Sequence, residues 1–362
     1  MRRRALLLAA PAIAGAQGDE DTVRAGRTLR WPRDHGAHLG ARNEWWYATG
    51  WLDALSGPPL GFQLTFFRHR TGLAESLPGR FAPRQLLFAH AAISDIAAGR
   101  HLQVQRTQRW SGEEHAADTH ARRDDTDVQL AQWFLRRADA SAPDRYVAAV
   151  GGGDAPFALQ LELLATQPLL LQGDGGYSRK GPLPHQASHY YSAPHLRVRA
   201  TLERGGQRAA LQGHAWLDHE WSDEYLPPGA VGWDWIGFNL HDGGALMAFR
   251  LRRADGSALW AGGTHRAADG RVRVFAPDEL RFTAQRWWSS AATQSRYPTQ
   301  WLIESPTGRF VVRALMDAQE LDGRGSNGAV YWEGLSDLFD ERGQAIGRGY
   351  LEMTGYGKPL AM

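Results

Sequence analysis

Hydrophobic and polar residues alternate with a period of two along most of the chain. In the segment "GFQLTFFRHR", Phe62, Leu64 and Phe66 fall on one face of an extended strand, and the residues between them fall on the other. Segments such as "HLRVRATLE", "ALMAFRLRR" and "RFVVRALMD" repeat this pattern, and turn sequences such as "HDGG" and "RADGS" separate them. No long amphipathic helix stands out. The pattern predicts an all-β protein built from many antiparallel strands.

The two halves of the chain resemble each other. The segment "WYATGWL…GFQLTFFRHR" around Gly50 is similar to "WDWIGFNL…GALMAFRLRR" around Gly237, about half the chain later. This repeat predicts two related β-barrels or sandwiches in tandem, and the length of 362 residues suits two domains. The segment "SDEYLPPGA" at 222–230 carries two prolines and a glycine, so we place the predicted domains at 34–222 and 223–362.

The N-terminal segment has the composition of an export signal. Residues 1–16 begin with three arginines, continue with a short apolar run and end on a small-x-small site that finishes at Ala16. This predicts cleavage near Ala16 and a periplasmic or secreted protein. The adjacent Arg3 and Arg4 leave both the general secretory route and the twin-arginine route open. The alternative interpretation is an ordinary frayed N-terminal helix.

Composition excludes several kinds of partner. The formal net charge is +2, and three of the arginines lie in the predicted signal, so the mature chain is close to neutral. This charge does not favour nucleic acid or an anionic membrane surface as a partner. No segment is apolar and long enough to predict a membrane span. The chain has no cysteine, which excludes disulfides, a lipoprotein anchor and thiolate metal ligands.

The segment "WDWIGFNL" contains a candidate acid. On a strand, Asp234 shares a face with Ile236 and Phe238. If that face lines an apolar cavity, burial raises the pKa of the carboxyl, which could then act as a general acid. The alternative is an aspartate at the rim of a barrel, hydrogen-bonded to backbone donors.

The segment "WLDHEWS" contains a candidate base. His219 shares a face with Trp221 and could hold or deprotonate water. Asp218, His219 and Glu220 cannot converge on one metal ion from a single strand, because neighbouring side chains point in opposite directions. A metal site would need help from His189 or Glu44, and we predict no metal and no cofactor.

The segment "SHYYS" can be interpreted in two ways. A serine hydrolase triad can be drawn from Ser188, His189 and Asp218, but an adjacent serine and histidine are poorly placed to bond each other, and the chain has no G-x-S-x-G motif. The interpretation that we favour is a cavity for an apolar ligand, lined by Tyr190 and Tyr191. Glu333 lies between a tryptophan and a glycine, where packing in the core or at the rim is the default interpretation.

Seven segments together resemble one known family. They are "NEWWYATGWL", "GFQLTFFR", "SHYYSAPHLRVRATL", "GHAWLDHEWS", "GWDWIGFNLHDGGALMAFRLR", "YWEG" and "GRGYLEMTGY", in order from residue 43 to residue 356. The chain is identified by them as similar to the AttH/carotenoid 1,2-hydratase family of lipocalin-like proteins, many of which are labelled as predicted secreted hydrolases. The resemblance implies two tandem lipocalin-like domains, a site for a long apolar molecule, and addition of water to a C=C bond without a redox cofactor.

The resemblance also implies roles for particular residues. His219-Glu220-Trp221 and Trp233-Asp234-Trp235 match the hydratase elements, so Asp234 would be the acid and His219 the base. Trp221, Trp233 and Tyr190 would stabilise the carbocation through cation–π contact. Glu44 and Trp46 would meet the 216–221 segment near the domain interface. The predicted substrate-binding residues are Glu44, Trp46, Tyr47, His189, Tyr190, Tyr191, Trp221, Trp233 and Trp235.

Three functions follow as hypotheses. The first, which we favour, is an exported hydro-lyase acting on an isoprenoid, a carotenoid or another lipophilic molecule. The second is a non-catalytic periplasmic carrier of a lipid or hydrophobic metabolite that works with an envelope ABC transporter, as the resemblance to AttH-type proteins implies. The third is a secreted hydrolase.

Overall fold

The structure is a computed structural model that describes residues 21–54, 56–73, 75–77, 82–113, 118–139, 144–224, 226–326 and 328–360. The predicted signal peptide, with its cleavage site at Ala16, lies outside these residues. The described residues form two antiparallel sheets and two short 3₁₀ turns, Arg33–His35 and Pro277–Glu279. None of the described helices is long and apolar enough to cross a membrane.

The first sheet covers the N-terminal half. Its strands are β1 (Asn43–Leu52), β2 (Leu60–Arg70), β3 (Gln85–Asp95), β4 (Arg100–Trp110), β5 (Thr119–Ala121), β6 (Asp127–Leu130), β7 (Trp133–Asp139), β8 (Arg145–Gly151), β9 (Phe157–Ala165), β10 (Leu170–Leu171), β11 (Tyr177–Arg179), β12 (Ala187–Arg204) and β13 (Gln207–Ser222). The strand order is β4-β3-β2-β1-β13-β12-β9-β8-β7-β6-β5, with β10 and β11 paired to β12.

The second sheet covers the C-terminal half. Its strands are β14 (Gly232–Leu240), β15 (Ala245–Arg252), β16 (Ala258–Arg266), β17 (Val272–Phe275), β18 (Arg281–Ser289), β19 (Arg296–Ser305), β20 (Gly308–Ala314), β21 (Glu320–Gly323), β22 (Ala329–Phe339) and β23 (Ala345–Thr354). The strand order is β17-β16-β15-β14-β23-β22-β20-β19-β18, with β21 paired to β22.

Both sheets use the same connection scheme. In each, the first strand pairs with the second strand and also with the last, β1 with β13 and β14 with β23. This arrangement curls a sheet toward closure, and one of the two sheets is nearly a barrel. The predicted all-β, lipocalin-like fold class is confirmed. The first sheet ends at Ser222 and the second begins at Gly232, while the domain limits of 34–222 and 223–362 stay a prediction.

Alternation along the strands produces several apolar clusters, of which three position the site. Trp46 lies in the core of the first sheet, and Ile236 lies in the core of the second. Tyr47 and Trp235 point the other way and pack in a third cluster between the sheets, with ring centroids 5.5 Å apart. A glycine at 237 is needed there, because a Cβ at that position would lie 2.4 Å from the Trp235 indole.

Hydrogen bonds tie the two sheets together. The Asn239 side chain on β14 donates to the Ala215 carbonyl on β13 over 3.0 Å. His90 Nδ1 on β3 lies 2.5 Å from the Tyr331 hydroxyl on β22. The outward faces of β1, β2, β3, β12 and β13 therefore meet β14, β15, β22 and β23, and this contact builds the candidate site.

Candidate functional site

A cavity of about 110 Å³, partly open to solvent, lies between the two sheets. Its wall is mostly apolar and takes residues from both halves of the chain. The lining residues are Trp45, Tyr47, Thr65, Phe67, Phe88, Lys180, Tyr190, Asp218, Glu220, Trp233, Trp235, Phe249, Leu251, Ala329, Tyr331, Glu333, Glu352, Thr354 and Leu360. A concave, aromatic wall with a few polar groups is typical of a small-molecule site.

The register of the strands in the first sheet determines which side chains form the first wall of the cavity. On neighbouring strands of the first sheet, Trp45 is opposite Glu220, and Tyr47 is opposite Asp218. Directly opposite residues on antiparallel strands present their side chains on the same face. The same rows continue through Phe67, Phe88 and Thr65 on one side and through Tyr190 and Ser192 on the other.

Strand register places the second wall in the same way. Trp235, Glu352 and Glu333 form one row across β14, β23 and β22. The neighbouring row contains Thr354 and Tyr331. Rings and carboxyls from distant parts of the chain therefore face one cavity.

The carboxyls of Glu333 and Glu352 form an acidic pair on this wall. Glu333 is buried, and its Oε2 has no hydrogen-bond partner in the described part of the chain. Glu352 accepts a hydrogen bond from Trp233 Nε1 over 3.0 Å. Burial raises the pKa of Glu352 to about 8, and burial together with the neighbouring Glu352 raises the pKa of Glu333 well above its ordinary value. The pair therefore retains protons at neutral pH.

Asp218 is a third carboxyl at the cavity. Its Oδ1 accepts hydrogen bonds from Ser192 Oγ over 2.5 Å and from Trp216 Nε1 over 2.6 Å. Its Oδ2 accepts one from the Tyr190 hydroxyl over 2.8 Å. These donors favour the ionised form, but burial is the larger effect and raises the pKa of Asp218 to about 7. A group with such a pKa can exchange a proton near neutral pH.

Lys180 and Glu220 form an ion pair at the cavity wall. Lys180 Nζ lies 2.8 Å from Glu220 Oε1, and both side chains are buried. The same ammonium lies 4.1 Å from the centroid of the Phe249 ring and 5.0 Å from that of Tyr190. Lys180 is the one lysine or arginine among the described residues that line the cavity, and Glu220 already neutralises it.

The Tyr331 hydroxyl is held by a histidine. His90 Nε2 lies 2.6 Å from Ser326 Oγ, which donates its hydrogen to the Gly323 carbonyl over 3.1 Å. Because a hydroxyl has a single hydrogen, Ser326 accepts from Nε2–H, and His90 Nδ1 is left to accept from Tyr331. Burial lowers the pKa of His90 to about 4, so the ring stays neutral.

Four of the nine predicted substrate-binding residues line this cavity. They are Tyr47, Tyr190, Trp233 and Trp235. The other five lie elsewhere, on the opposite faces of the same strands or on adjoining ones: Glu44, Trp46, His189, Tyr191 and Trp221. These five residues do not line the cavity, because each is next in its strand to a residue that does, and neighbouring side chains of a strand point to opposite faces.

Glu44 lies in a buried polar network inside the first sheet. Its carboxylate contacts Arg68 Nε at 2.7 Å, His38 Nδ1 at 2.8 Å and His219 Nε2 at 2.9 Å. His38 Nε2 contacts Asp34 at 3.0 Å. The expectation that Glu44 and Trp46 meet the 216–221 segment is met, since Trp46 also stacks on His219, with ring centroids 4.7 Å apart. The meeting is in the interior of the first sheet, not between the sheets.

Three members of this network form a geometric candidate for a metal site. One ligand atom from each of His38, Glu44 and His219 lies within 4.8 Å of the others. The Arg68 guanidinium already neutralises Glu44, however, and both histidine nitrogens are within hydrogen-bond distance of its carboxylate. A divalent cation would have to displace those hydrogen bonds beside a buried positive charge. The donor set therefore fits a hydrogen-bonded network better than an ion.

The structure corrects the surroundings predicted for Asp234. The side chain is buried inside the second sheet, as the shared face with Ile236 predicted. Arg250 lies directly opposite on β15, with its Nε 2.6 Å from Asp234 Oδ2, and Arg252 Nε lies at 3.2 Å. The Tyr356 hydroxyl donates to Oδ1 over 2.8 Å. The prediction of a carboxyl in apolar surroundings was wrong, because β15 supplies two guanidinium groups to the same space.

Asp234 and His219 are not brought together. His219 lies inside the first sheet, where burial lowers its pKa, and Asp234 lies inside the second. Neither lines the cavity, whereas Glu220 and Trp235, their neighbours in the chain, do. The acid and base roles predicted for the two residues therefore lack a shared site.

The proposed serine triad is not formed either. Ser188 Oγ donates to Glu220, and Asp218 bonds Ser192 and Tyr190. His189 accepts from the Arg24 backbone N–H over 3.4 Å. The three side chains therefore have separate partners, and the arrangement does not support a serine hydrolase.

Several cavity residues were missed or undervalued by the sequence analysis. Glu333 was assigned to core or rim packing, and Glu352 and Tyr331 received no role. A signal was present: Glu333 and Glu352 each sit among alternating apolar residues in "YWEG" and "YLEM". A carboxyl in a buried strand marks a candidate site, but nothing in the chain shows that the two strands are neighbours.

Comparison with known proteins shows which family and which solved structures the chain resembles. The profile of the family described as AttH-like matches residues 22–356. The chain is similar to the crystal structure of an AttH-type protein from Nitrosomonas europaea, with 46% identity, a TM-score of 0.85, and coverage of 93% of this chain and 99% of that one. Its fold is also similar to kievitone hydratase from Nectria haematococca, with 14% identity, a TM-score of 0.70, and coverage of 94% and 97%. No curated protein matches the chain.

Proposed function

Because the chain belongs to the AttH-like family, as its motifs predicted, we propose that it is an exported lipocalin-like hydro-lyase. Its substrate is a lipophilic alkene, to which it adds water in the cavity between the sheets. The shared fold with a hydratase supports only the suitability of the scaffold, since fold does not determine chemistry. The chemistry is proposed from the cavity itself.

One observation carries the proposal: the Glu333 and Glu352 pair retains a proton at neutral pH in an aromatic cavity. Hydration of an alkene needs a general acid that still holds its proton at neutral pH, and burial keeps a carboxylic acid in that protonated form. The rings of Trp233, Trp235 and Tyr47 line the same wall and would stabilise the carbocation through their negative π faces.

Asp218 is suited to the second half of the reaction. In the proposed cycle, a proton from the Glu333–Glu352 pair forms a C–H bond, water forms the C–O bond, and the proton lost by water passes to Asp218. The proton can transfer directly or through the Tyr190 hydroxyl, which bonds Asp218 Oδ2. With a pKa of about 7, Asp218 is ionised in a substantial fraction of molecules at neutral pH and can accept the proton in those molecules. Protons exchanged with solvent then restore the acid.

The cavity limits the size of the substrate. A volume of about 110 Å³ lies below the range of typical ligand pockets, about 300–1,000 Å³. It would take the reacting end of an isoprenoid or a compact ring system, and the rest of a long polyene would extend through the open side. Export stays a proposal, supported by residues 1–16. An envelope ABC transporter remains a partner proposed from the family resemblance alone.

The test begins with the bound molecule. Native mass spectrometry of the protein purified from its own cell envelope, followed by lipid extraction, identifies a co-purifying ligand. That ligand and a panel of terminal isoprenoid alkenes are then incubated with the protein in H₂¹⁸O. We expect an ¹⁸O-labelled alcohol from wild type, formed at least about 100-fold more slowly by Glu352→Gln.

Controls separate the hydro-lyase from the carrier. Glu203→Gln, on the exposed part of β12, should hydrate at the wild-type rate. An alkene or lipid that is bound and returned unchanged by wild type would support the carrier hypothesis. Equal rates for wild type and a Glu333→Gln/Glu352→Gln double variant would refute the acid assignment. N-terminal sequencing of the envelope form should start near residue 17, and an intact N-terminus would refute export with cleavage.

A further inference from the structure

The cavity already holds one ammonium group in a defined way. Lys180 Nζ lies 4.1 Å from the Phe249 centroid, 5.0 Å from the Tyr190 centroid and 2.8 Å from Glu220 Oε1. Two ring faces and one carboxylate therefore surround this cation. Such a combination of aromatic faces and a carboxylate is the arrangement by which proteins bind ammonium ions.

Further along the row of the second sheet that contains Phe249, past Trp235, the wall has carboxyls and rings without a cation among the described residues that line it. Glu333 and Glu352 lie beside Trp235 and Tyr331 in the strand rows of the second sheet. Trp233 donates to Glu352, and Tyr47 of the first sheet packs on Trp235. Among the residues that the structure describes, no lysine or arginine other than Lys180 lines the cavity.

Two buried polar atoms on this wall lack partners. Glu333 is 2% exposed and Tyr47 is 4% exposed. Within the described ranges, Glu333 Oε2 and the Tyr47 hydroxyl have no hydrogen-bond partner. Leaving such atoms unpaired costs stability. Both residues line the cavity, where a bound molecule could satisfy them.

We propose that this cavity binds a compact lipophilic organic ammonium ion, with its charge against Glu333 and Glu352 and its alkyl or aryl groups on the surrounding rings. A neutral alcohol could form one hydrogen bond with this wall. It would bring no positive charge to a cavity in which carboxyls outnumber ammonium groups. This inference goes beyond the proposed hydration and does not depend on it. It concerns only the charge of the ligand that the wall with Glu333 and Glu352 favours.

Binding of a cation should release protons. A positive charge beside the carboxyl pair favours its ionised form, so the raised pKa values of Glu333 and Glu352 should fall on binding. Affinity should therefore increase as pH rises from 6 to 8.5. The other ionisable or charged groups that face the cavity are Tyr47 on β1, Lys180 after β11, Tyr190 on β12, Asp218 and Glu220 on β13, and Tyr331 on β22. Of these, Asp218, with a pKa of about 7, would add to the same trend.

The test uses two probes of the same shape. Benzyltrimethylammonium and neopentylbenzene differ by a positively charged nitrogen in place of carbon. Each is titrated into the full mature protein, with tryptophan fluorescence and calorimetry as readouts. We expect the cation to bind about tenfold or more tightly than the hydrocarbon at pH 7.5. Calorimetry in two buffers of different ionisation enthalpy should show net proton release.

Variants locate the binding. The Glu333→Gln/Glu352→Gln double variant should lose most of the preference for the cation and most of the proton release, while Glu203→Gln should keep both. If the variant fails to fold, Tyr47→Phe and the pH dependence of wild-type binding serve instead. Equal affinity for the two probes, no binding of the cation, or cation binding that the double variant leaves unchanged would each overturn the proposal.

The outcome is separable from that of the hydration assay. Cation binding without ¹⁸O incorporation into any alkene would retain this inference and refute the hydro-lyase. Hydration by a protein that binds neither probe selectively would retain the hydro-lyase and refute this inference. Where both hold, the ammonium ion should also inhibit hydration, since it resembles the carbocation in charge and shape.

Discussion

Glu333 on β22 and Glu352 on β23 stand directly opposite each other in the antiparallel ladder, with the Trp235 position next in the same row. Glu333 is buried and Glu352 half-buried, and no ion pair with either is present in the described part of the chain. Two carboxyls so placed cannot both ionise cheaply. The relationship links the fold to both proposals, because it keeps an acid protonated and leaves a wall that favours a cation. It also predicts how stability depends on pH.

The free energy of unfolding should fall as pH rises from 6.5 to 8. In this range, unfolded Glu352 is already ionised, while folded Glu352, with a pKa of about 8, still holds a proton. Each carboxyl that keeps its proton only in the folded state contributes a slope of up to about −1.4 kcal/mol per pH unit. Urea denaturation at several pH values measures the slope. Glu352→Gln should flatten it, and an unchanged slope in that variant would show that Glu352 is not the source.

Below pH 6.5 the trend should turn over. Burial lowers the pKa of His35 to about 3 and those of His90, His101 and His189 to about 4, so these rings are neutral when folded and charged when unfolded. Because these histidines have lower pKa values in the folded state than in the unfolded state, the protein loses stability as pH falls from 6.5 toward 4. Stability should therefore be greatest near pH 6.5. Monotonic stabilisation down to pH 4.5 would contradict this.

Replacing Glu44 should destabilise the first sheet strongly. Glu44→Gln leaves the buried Arg68 guanidinium without its carboxylate and removes the acceptor shared by His38 and His219. Breaking a buried ion pair costs about 3–5 kcal/mol. Glu203→Gln, in an exposed pair with Arg208, should change stability by less than about 0.5 kcal/mol. Similar small effects of both substitutions would show that the Glu44 network adds little stability.

Asp234→Asn should lower the stability of the protein without lowering its hydration activity. The substitution leaves Arg250 and Arg252 without their buried partner, so we expect a loss of about 3 kcal/mol in unfolding free energy. Binding of the ammonium probe and hydration per folded molecule should stay at wild-type levels, because Asp234 does not line the cavity. A fully folded variant without hydration activity would restore Asp234 as the acid.

Tyr331→Phe should weaken the contact between the sheets. It removes the hydroxyl bonded to His90 and leaves a buried histidine nitrogen without a partner, at a cost of about 1–3 kcal/mol. Tyr146→Phe is the matched control, since the buried Tyr146 hydroxyl has no hydrogen-bond partner among the described residues and its removal should be nearly neutral. Equal thermal shifts for both variants would argue against the bridging role of Tyr331.

Much of the fold could be predicted from local pattern. Period-two alternation and the turn signals indicated the all-β class, and the motifs from "NEWWYATGWL" to "GRGYLEMTGY" pointed to the family. Glu44 and Trp46 were also predicted to lie together against the 216–221 segment, and in the structure both contact His219. The predicted acid and base, Asp234 and His219, lie on the faces that point into the two sheets and do not line the cavity.

The sequence by itself determined the strands, their two faces and the family, because alternation and turn chemistry are properties of neighbours in the chain. Only the tertiary structure decided which face of each strand meets the other sheet, since both faces of "WLDHEWS" mix a tryptophan with polar side chains and both faces of "WDWIGFNL" carry large apolar ones. It also decided that Arg250 reaches Asp234, while none of the described lysines and arginines forms an ion pair with Glu333. Those pairings depend on strand register between segments far apart in the chain, and no local pattern specifies that register.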